Sequence, residues 1–394
     1  MADSVVVTSH QGYFSRLAGS FVGVLIGIFL VPGSILLISW NEYRTVHRTR
    51  GLLEAESVVV QVPDPFEISN TLDQRLVHFS GVATTEETLS DQEFSIHRPV
   101  LRLERQVEMY QWVEHEETRT RDKIGGGRET VKTYEYRREW QPDRVDSQRF
   151  HETSGHNNPH PRFTSKEIIA KRATLGAFEF RPALVSFVNA WKDVQLDFHS
   201  LLANFDGETK QSFRMDGDRL YFRSTPTESN SPQVGDLRIQ FREVEPTLVS
   251  VLSKQVGSRL EPFRTSNGEA IESVELGQIS AADMLNSLRL QNSMFAWIFR
   301  GIGWLLCCVA FGLITGPVKA IANFIPLFSG IVGFATGFLA FLLGTTIALI
   351  TIGIAWIAVR PLLGVSLLVV AGLGIYWMMR RRSKPELPMA VLVE

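Results

Sequence analysis

Residues 301–379 read GIGWLLCCVAFGLITGPVKAIANFIPLFSGIVGFATGFLAFLLGTTIALITIGIAWIAVRPLLGVSLLVVAGLGIYWMM, a stretch with no Asp or Glu and two fixed charges, Lys319 and Arg360. A helix needs about 20 apolar residues to cross a hydrocarbon core. With the residues just before it, the stretch therefore divides into three crossings, 294–316, 327–359 and 360–379. Gly316, Pro317 and Lys319 break the first gap, and Arg360-Pro361 the second. Proline is tolerated in the first turn of a helix, whereas an arginine at mid-bilayer costs about 3 kcal/mol on insertion scales, so both gaps belong at water interfaces. Arg380, Arg381, Arg382 and Lys384 follow at once, and such a cluster marks the cytoplasmic side. On this count residues 317–326 are a cytoplasmic loop, 380–394 a cytoplasmic basic tail, and Arg360 lies outside. The run 327–359 exceeds the length of one crossing; it tilts, protrudes or breaks, and a re-entrant hairpin there would reverse the count of sides.

Outward from this block, residues 17–40 form another apolar run, longer than the 7–15 residues of a signal-peptide core, and read as a retained first span behind a short cytoplasmic tail, 1–16. Gly19, Gly23 and Gly27 recur every fourth residue in it, and Gly333, Gly337 and Gly344 form a second row, extended by Ala340 and Ala348. Rows of small residues let membrane helices approach closely, which makes these six glycines candidate helix-packing positions; glycine is also simply common in membrane helices.

A net charge of -2 and the lack of a basic patch interleaved with aromatics argue against a nucleic-acid partner. The two cysteines, Cys307 and Cys308, are adjacent inside a span and cannot staple a soluble domain. His115-Glu116 begins like a zincin motif, but Arg119 stands where the second histidine must be. His151, His156 and His160 fall in a flexible, turn-rich segment without a clear Asp, Glu or Cys complement, so no metal is expected. No nucleophile elbow, phosphate loop or dinucleotide fingerprint occurs. Catalytic residues and cofactors are accordingly expected to be none.

Between the first two spans, residues 41–293 read as a β-rich extracytoplasmic or luminal domain, which gives an α+β membrane protein. Strands are expected at 57–62, 75–82, 173–180, 237–244, 248–253 and 271–276, and a hairpin of 211–215 with 219–224 around Asp216-Gly217. Short helices are expected at 182–192 and at 281–291, the latter capped by Ser280 with Asp283 and able to run on into the second span. The clearest piece is a long hairpin over 101–140. With its turn centred on Gly126, Trp112 opposes Trp140, Glu114 opposes Arg138 and Glu116 opposes Tyr136. Tyr110, Trp112, Tyr134, Tyr136 and Trp140 then share one face, a candidate interaction surface; such stripes more often serve sheet packing. A weak echo between 76–107 and 237–256 suggests two related subdomains.

The string Val107-Glu-Met-Tyr-Gln-Trp-Val-Glu114, with Arg75-Leu-Val-His78 before it and Val234-Gly-Asp-Leu-Arg238 after it, resembles the LUMA family of membrane proteins. Asn41-Glu-Tyr-Arg44, Gly155-His156 with Pro159, Asn292-Ser-Met294 and Arg360-Pro-Leu362 extend the likeness along almost the whole chain. The resemblance implies four spans with a large domain between the first and second. In animals it also implies residence in the endoplasmic reticulum and inner nuclear membrane, self-association, and links to lamins and emerin. The chain lacks the longer N-terminal tail of the animal members, which favours a bacterial source and inner membrane, where lamins and emerin do not apply. The function expected is a non-enzymatic, oligomeric scaffold that assembles with itself, the bilayer and unidentified membrane or envelope proteins. The alternative is a channel or channel regulator, since glycine-rich helices can also pack around a pore.

Overall fold

The computed structural model describes residues 3–123, 127–225, 231–322, 326–357 and 361–382, so the expected turn centre Gly126, together with Arg360 and Lys384, lies outside the described residues. Five helices carry the membrane block: α1 (Tyr13–Val58), α2 (Ala281–Ile314), α3 (Gly316–Ala322), α4 (Pro326–Ile357) and α5 (Pro361–Arg382). α1, α2 and residues 330–357 of α4 are each long and apolar enough to cross a membrane. α4 is one continuous helix, without the break its length allowed.

α1 has 46 residues and runs well past Trp40. The strand expected at 57–62 shrinks to Val60–Gln61. The reason is burial rather than local apolarity: Leu52 and Ala55, one helical turn apart, pack with Leu76, Leu252, Ile271, Met284 and Leu285. Gly51 permits this approach, because a Cβ there would stand 2.9 Å from Glu269 Cβ. α2 starts where the cap was read, with Ser280 Oγ accepting from Asp283 N–H at 3.2 Å, and continues without interruption into the apolar run. The helix expected at 182–192 is a single turn, Pro182–Val185.

The main strands are β1 (Asp3–Gln11), β2 (Leu76–Thr85), β3 (Arg102–Asp122), β4 (Arg128–Gln141), β5 (Ala173–Leu175), β6 (Phe178–Phe180), β7 (Phe213–Asp216), β8 (Arg219–Phe222), β9 (Leu237–Val244), β10 (Thr247–Val256), β11 (Arg259–Glu261) and β12 (Ser273–Leu276). One sheet runs β1-β4-β3-β9-β8-β7. β7 and β8 form the expected hairpin, with Asp216 opposite Arg219 and Gly217 at φ +65°, a conformation glycine adopts without strain. The second sheet runs β12-β10-β11-β6-β5-β2, and β10 also pairs with β2 along its length, Thr247 opposite Ala83 through Lys254 opposite Leu76. Its middle strands therefore close on themselves, which removes their edges.

The two echoing segments do not form separate subdomains. β2 and β3 come from the first and β9 and β10 from the second, and they interleave: β2 pairs with β10 in one sheet, β3 with β9 in the other. Both sheets feed one core, centred on Phe79, Phe94, Leu103, Phe178 and Phe241. Phe94 alone meets the rings of Phe163, Phe205, Phe213 and Phe241.

Two further expectations are corrected. Residues 3–11 are not a tail but strand β1, whose Val5 and Val7 turn toward the aromatic cluster of Tyr134, Tyr136 and Phe150. The hairpin register is also two residues from the expected one. Lys123 N–H donates to Gly127 O at 2.8 Å, and the facing pairs are Tyr110 with Trp140, Trp112 with Arg138 and Glu114 with Tyr136. An even offset keeps the same side chains on the same face, so the stripe survives the change. By compactness the chain divides into a sheet-rich unit (1–7, 51–119, 131–288) and a helical unit (8–50, 120–130, 289–394).

Candidate functional site

The aromatic stripe is covered rather than open. Residues 143–163 fold over it: His151 stacks on Tyr134 with ring centroids 4.3 Å apart, and His156 stacks on Tyr136 at 4.0 Å while meeting Trp112 edge-on at 4.7 Å. Asn158 pins this cover. Its Oδ1 accepts from Trp112 N–H at 2.8 Å and its Nδ2 donates to Trp112 O at 2.9 Å and Val145 O at 3.2 Å. Tyr136 donates to Glu114 Oε2 at 2.7 Å and accepts from Glu152 N–H at 2.8 Å. Burial first, and Glu114 second, push the Tyr136 hydroxyl up to about 12. The histidines thus serve as aromatic lids, His156 also lying 3.3 Å from Asp3, while His160 is exposed and apart. Among the described residues no group of His, Cys, Asp and Glu is arranged to hold a metal.

The far end of the stripe is held by the Val234-Gly-Asp-Leu-Arg238 segment. Gly235, at φ +98°, donates to Tyr110 O at 2.8 Å, and Tyr110 N–H donates to Asp236 O at 2.9 Å. Asp236 is fully buried and accepts from Gln233 N–H, Ser224 N–H, the Ser224 hydroxyl and the Tyr221 hydroxyl. Four donors around one carboxylate offset the cost of burying its charge. Arg238 lies 4.1 Å over the Trp140 ring, which also meets Tyr221 edge-on.

The helical unit carries the candidate packing glycines, and they divide into two groups. A Cβ at Gly27 would come within 2.7 Å of Ala310 O, and one at Gly344 within 2.7 Å of Cys308 Sγ; Gly23 faces Leu313 at 3.6 Å. These three pack α1 and α4 onto α2 rather than onto each other. Gly19, Gly333 and Gly337 have nothing within 4 Å of a Cβ position.

Above these contacts lies an ion pair that the sequence reading passed over. Arg300 of α2 meets Glu42 of α1 through Nε to Oε1 at 2.5 Å and Nη2 to Oε2 at 2.8 Å, and Trp356 Nε1–H of α4 donates to the same carboxylate at 2.6 Å. The guanidinium lies 4.9 Å from the rings of both Trp297 and Trp356. Asn41 Nδ2 donates to Ala296 O at 3.1 Å, and Asn292 Nδ2 to Thr45 O at 3.1 Å, so polar bonds accompany the pair along the α1–α2 contact. The signal was present: Arg300 lies inside the second apolar run and needs a counter-ion, and Glu42 is the acid nearest the end of the first.

The segments Asn41–Arg44, Val107–Glu114, Gly155–Pro159, Val234–Arg238 and Asn292–Met294, which carried the resemblance, thus supply much of the polar bonding in the two units. A family model described as Transmembrane protein 43 matches residues 109–361, from β3 to the first residue of α5. The chain is similar to Transmembrane protein 43 of Homo sapiens, 29% identical over 391 residues that cover 96% of this chain and 94% of the human one. It is similar to that of Pongo abelii, 30% identical over 383 residues (93% and 91%), and to the Transmembrane protein 43 homolog of Drosophila melanogaster, 29% identical over 367 residues (90% and 94%). No solved structure matches. With its long apolar helices, its β-rich domain between the first two of them and this match over most of its length, the chain is a multi-pass membrane protein that belongs to the Transmembrane protein 43 family.

Proposed function

We propose that the protein is a four-span, non-enzymatic membrane scaffold that assembles with copies of itself and uses its β-rich domain to hold membrane or envelope partners. The observation that carries the self-assembly is the division of the glycines. Gly27 and Gly344 are spent on packing within the chain, whereas Gly337 has no neighbour and sits on α4 beside exposed Phe334 and Phe338. Lipid tails are as apolar as leucine, so helices associate through close backbone approach at such positions. The aromatic stripe, covered by its own chain, acts as internal packing for the domain instead of a partner surface.

The test is the particle size of the full chain in mild detergent. Gly337→Leu is expected to release smaller particles with the β-rich domain still protease-resistant, while Gly27→Leu disturbs the helical unit itself. Full-size particles from Gly337→Leu would overturn the helix-driven assembly. Conductance of the reconstituted protein in planar bilayers would favour the channel reading over the scaffold.

A further inference from the structure

Among the described residues β1 ends its sheet, bonded to β4 on one side alone, so its other edge presents backbone amides and carbonyls to any strand that comes alongside. The other strands that end the two large sheets are short: four residues each in β7 and β12, and two in Val60–Gln61. β1 has nine, Asp-Ser-Val-Val-Val-Thr-Ser-His-Gln, and seven of them are exposed, which leaves the edge uncovered along its length. Natural sheets protect open edges with lysine, proline or brevity, and β1 has none of these. Its ionisable residues stand near its two ends and already have partners, Asp3 lying 3.3 Å from His156 and His10 3.6 Å from Glu129. Residues 4–9 are uncharged, and Val6 at their middle is 60% exposed.

The strand also fits itself. Two identical strands pair antiparallel about a two-fold axis perpendicular to the sheet, and side chains that face each other across the pair stay on one face. Facing residues then have numbers of the same parity, so the axis lies between two copies of one residue. With that residue Val6, the centre of the three valines, Val6 faces Val6, Val5 faces Val7, Ser4 faces Thr8 and Asp3 faces Ser9. Val5 and Val7, which turn toward Tyr134, Tyr136 and Phe150, carry the apolar face on into the second copy. Ser4 and Thr8 exchange a hydrogen bond on the other face, and no like charges are opposed. α1 begins two residues after β1, so copies anchored in one bilayer hold their strands at one depth, which raises their effective concentration. We propose that β1 is an interface with a second copy of this chain, the two strands pairing antiparallel about Val6 so that one sheet runs through both copies. The proposal rests on the reading that the protein assembles with itself, and gives that assembly a surface apart from α4.

Val6→Cys, Ser4→Cys and Thr8→Cys are made singly in the full chain, and membranes holding each variant are treated with a mild oxidant before electrophoresis without reductant. The unaltered chain, whose Cys307 and Cys308 are inside the second apolar run, is the baseline. All three positions are exposed and share one face of β1, so chance collision couples them alike. Pairing about Val6 instead brings the two copies of position 6 to about 5 Å between Cα atoms, within reach of a disulfide, and keeps the two copies of position 4, or of 8, roughly 14 Å apart. Val6→Cys is therefore expected to give several-fold more covalent dimer than either of the others, and Ser4→Cys chains mixed with Thr8→Cys chains in one membrane should couple to each other. Melting followed by tryptophan fluorescence shows whether each variant is folded. Equal coupling at all three positions, or none at position 6 in a folded variant, would overturn the proposal. The helix-driven assembly is read separately, from the particle size of Gly337→Leu, so either reading can fail while the other stands.

Discussion

Glu42 and Arg300 face each other through both carboxylate oxygens and two guanidinium nitrogens, at 1% and 9% side-chain exposure. A buried pair of this kind adds little net stability over an apolar pair, but removing one partner strands the other charge, at a cost of about 3–5 kcal/mol. Glu42→Gln should therefore lower the melting temperature of the full chain sharply in detergent. Glu42→Leu combined with Arg300→Met should recover most of the loss. A single variant that melts like the unaltered chain would mean that the pair is solvated in the membrane-bound protein.

A pH response is expected from His78. Its Nε2 is 2.9 Å from Ile279 O, and its Nδ1 is 2.8 Å from the Gln61 side-chain amide. Burial lowers its pKa below the ordinary value, the bond to Ile279 opposing in part. Both neighbours are acceptors, Ile279 O and Gln61 Oε1, so the neutral ring, with one N–H, donates to only one of them at a time. In the unfolded chain the ring takes up a proton near pH 6.5, where the folded ring still resists it, so the contribution of His78 to stability is intact above that pH and falls away below it. Melting curves of the full chain between pH 5 and 7.5 should show this loss, and His78→Gln should flatten the slope.

Two of the seven tyrosines should ionise late. Tyr136 and Tyr221 are both pushed up to about 12, in each case by burial first and by a carboxylate second, Glu114 for the one and Asp236 for the other. Raised values of this sign add stability that is complete below about pH 10 and is lost as pH climbs from there toward 12. Ultraviolet titration of the folded protein should resolve the two groups from the rest. Asp236→Asn should bring Tyr221 down and leave Tyr136 where it is.

The hairpin register is open to direct chemical test. Cysteines replacing Trp112 and Arg138, which lie face to face, should couple under mild oxidation faster than cysteines replacing Glu114 and Arg138, which are diagonal neighbours. Faster coupling of the second pair would restore the turn centred on Gly126.

What was legible in the sequence was local. The apolar runs announce themselves by length, the Asp216-Gly217 turn by the glycine's freedom, and the shared face of Tyr110, Trp112, Tyr134, Tyr136 and Trp140 by a period of two. The hairpin register was not legible, because a glycine-rich turn of several residues fits more than one centre. Residues 41–58 carry no apolar run, and their helix is held by Leu52 and Ala55 against residues about two hundred positions away, such as Leu252 and Met284. The lid formed by His151 and His156 was hidden for a similar reason: a turn-rich segment has no period from which to infer what it covers. Glu42 with Arg300 is different, since the need of a charge inside an apolar run for a partner was written in the sequence and went unread.

Strand β1 leaves the ribosome more than a hundred residues before β4, to which it bonds and which begins only at Arg128. During translation the first apolar helix is already committed to the translocon while the nine residues ahead of it still lack a partner. Contacts so distant along the chain form slowly and late. Strand β1 therefore becomes structured only after the hairpin has been synthesised, and an epitope inserted at Gly12, beside β1, would change its accessibility to an antibody once β4 had been made and paired.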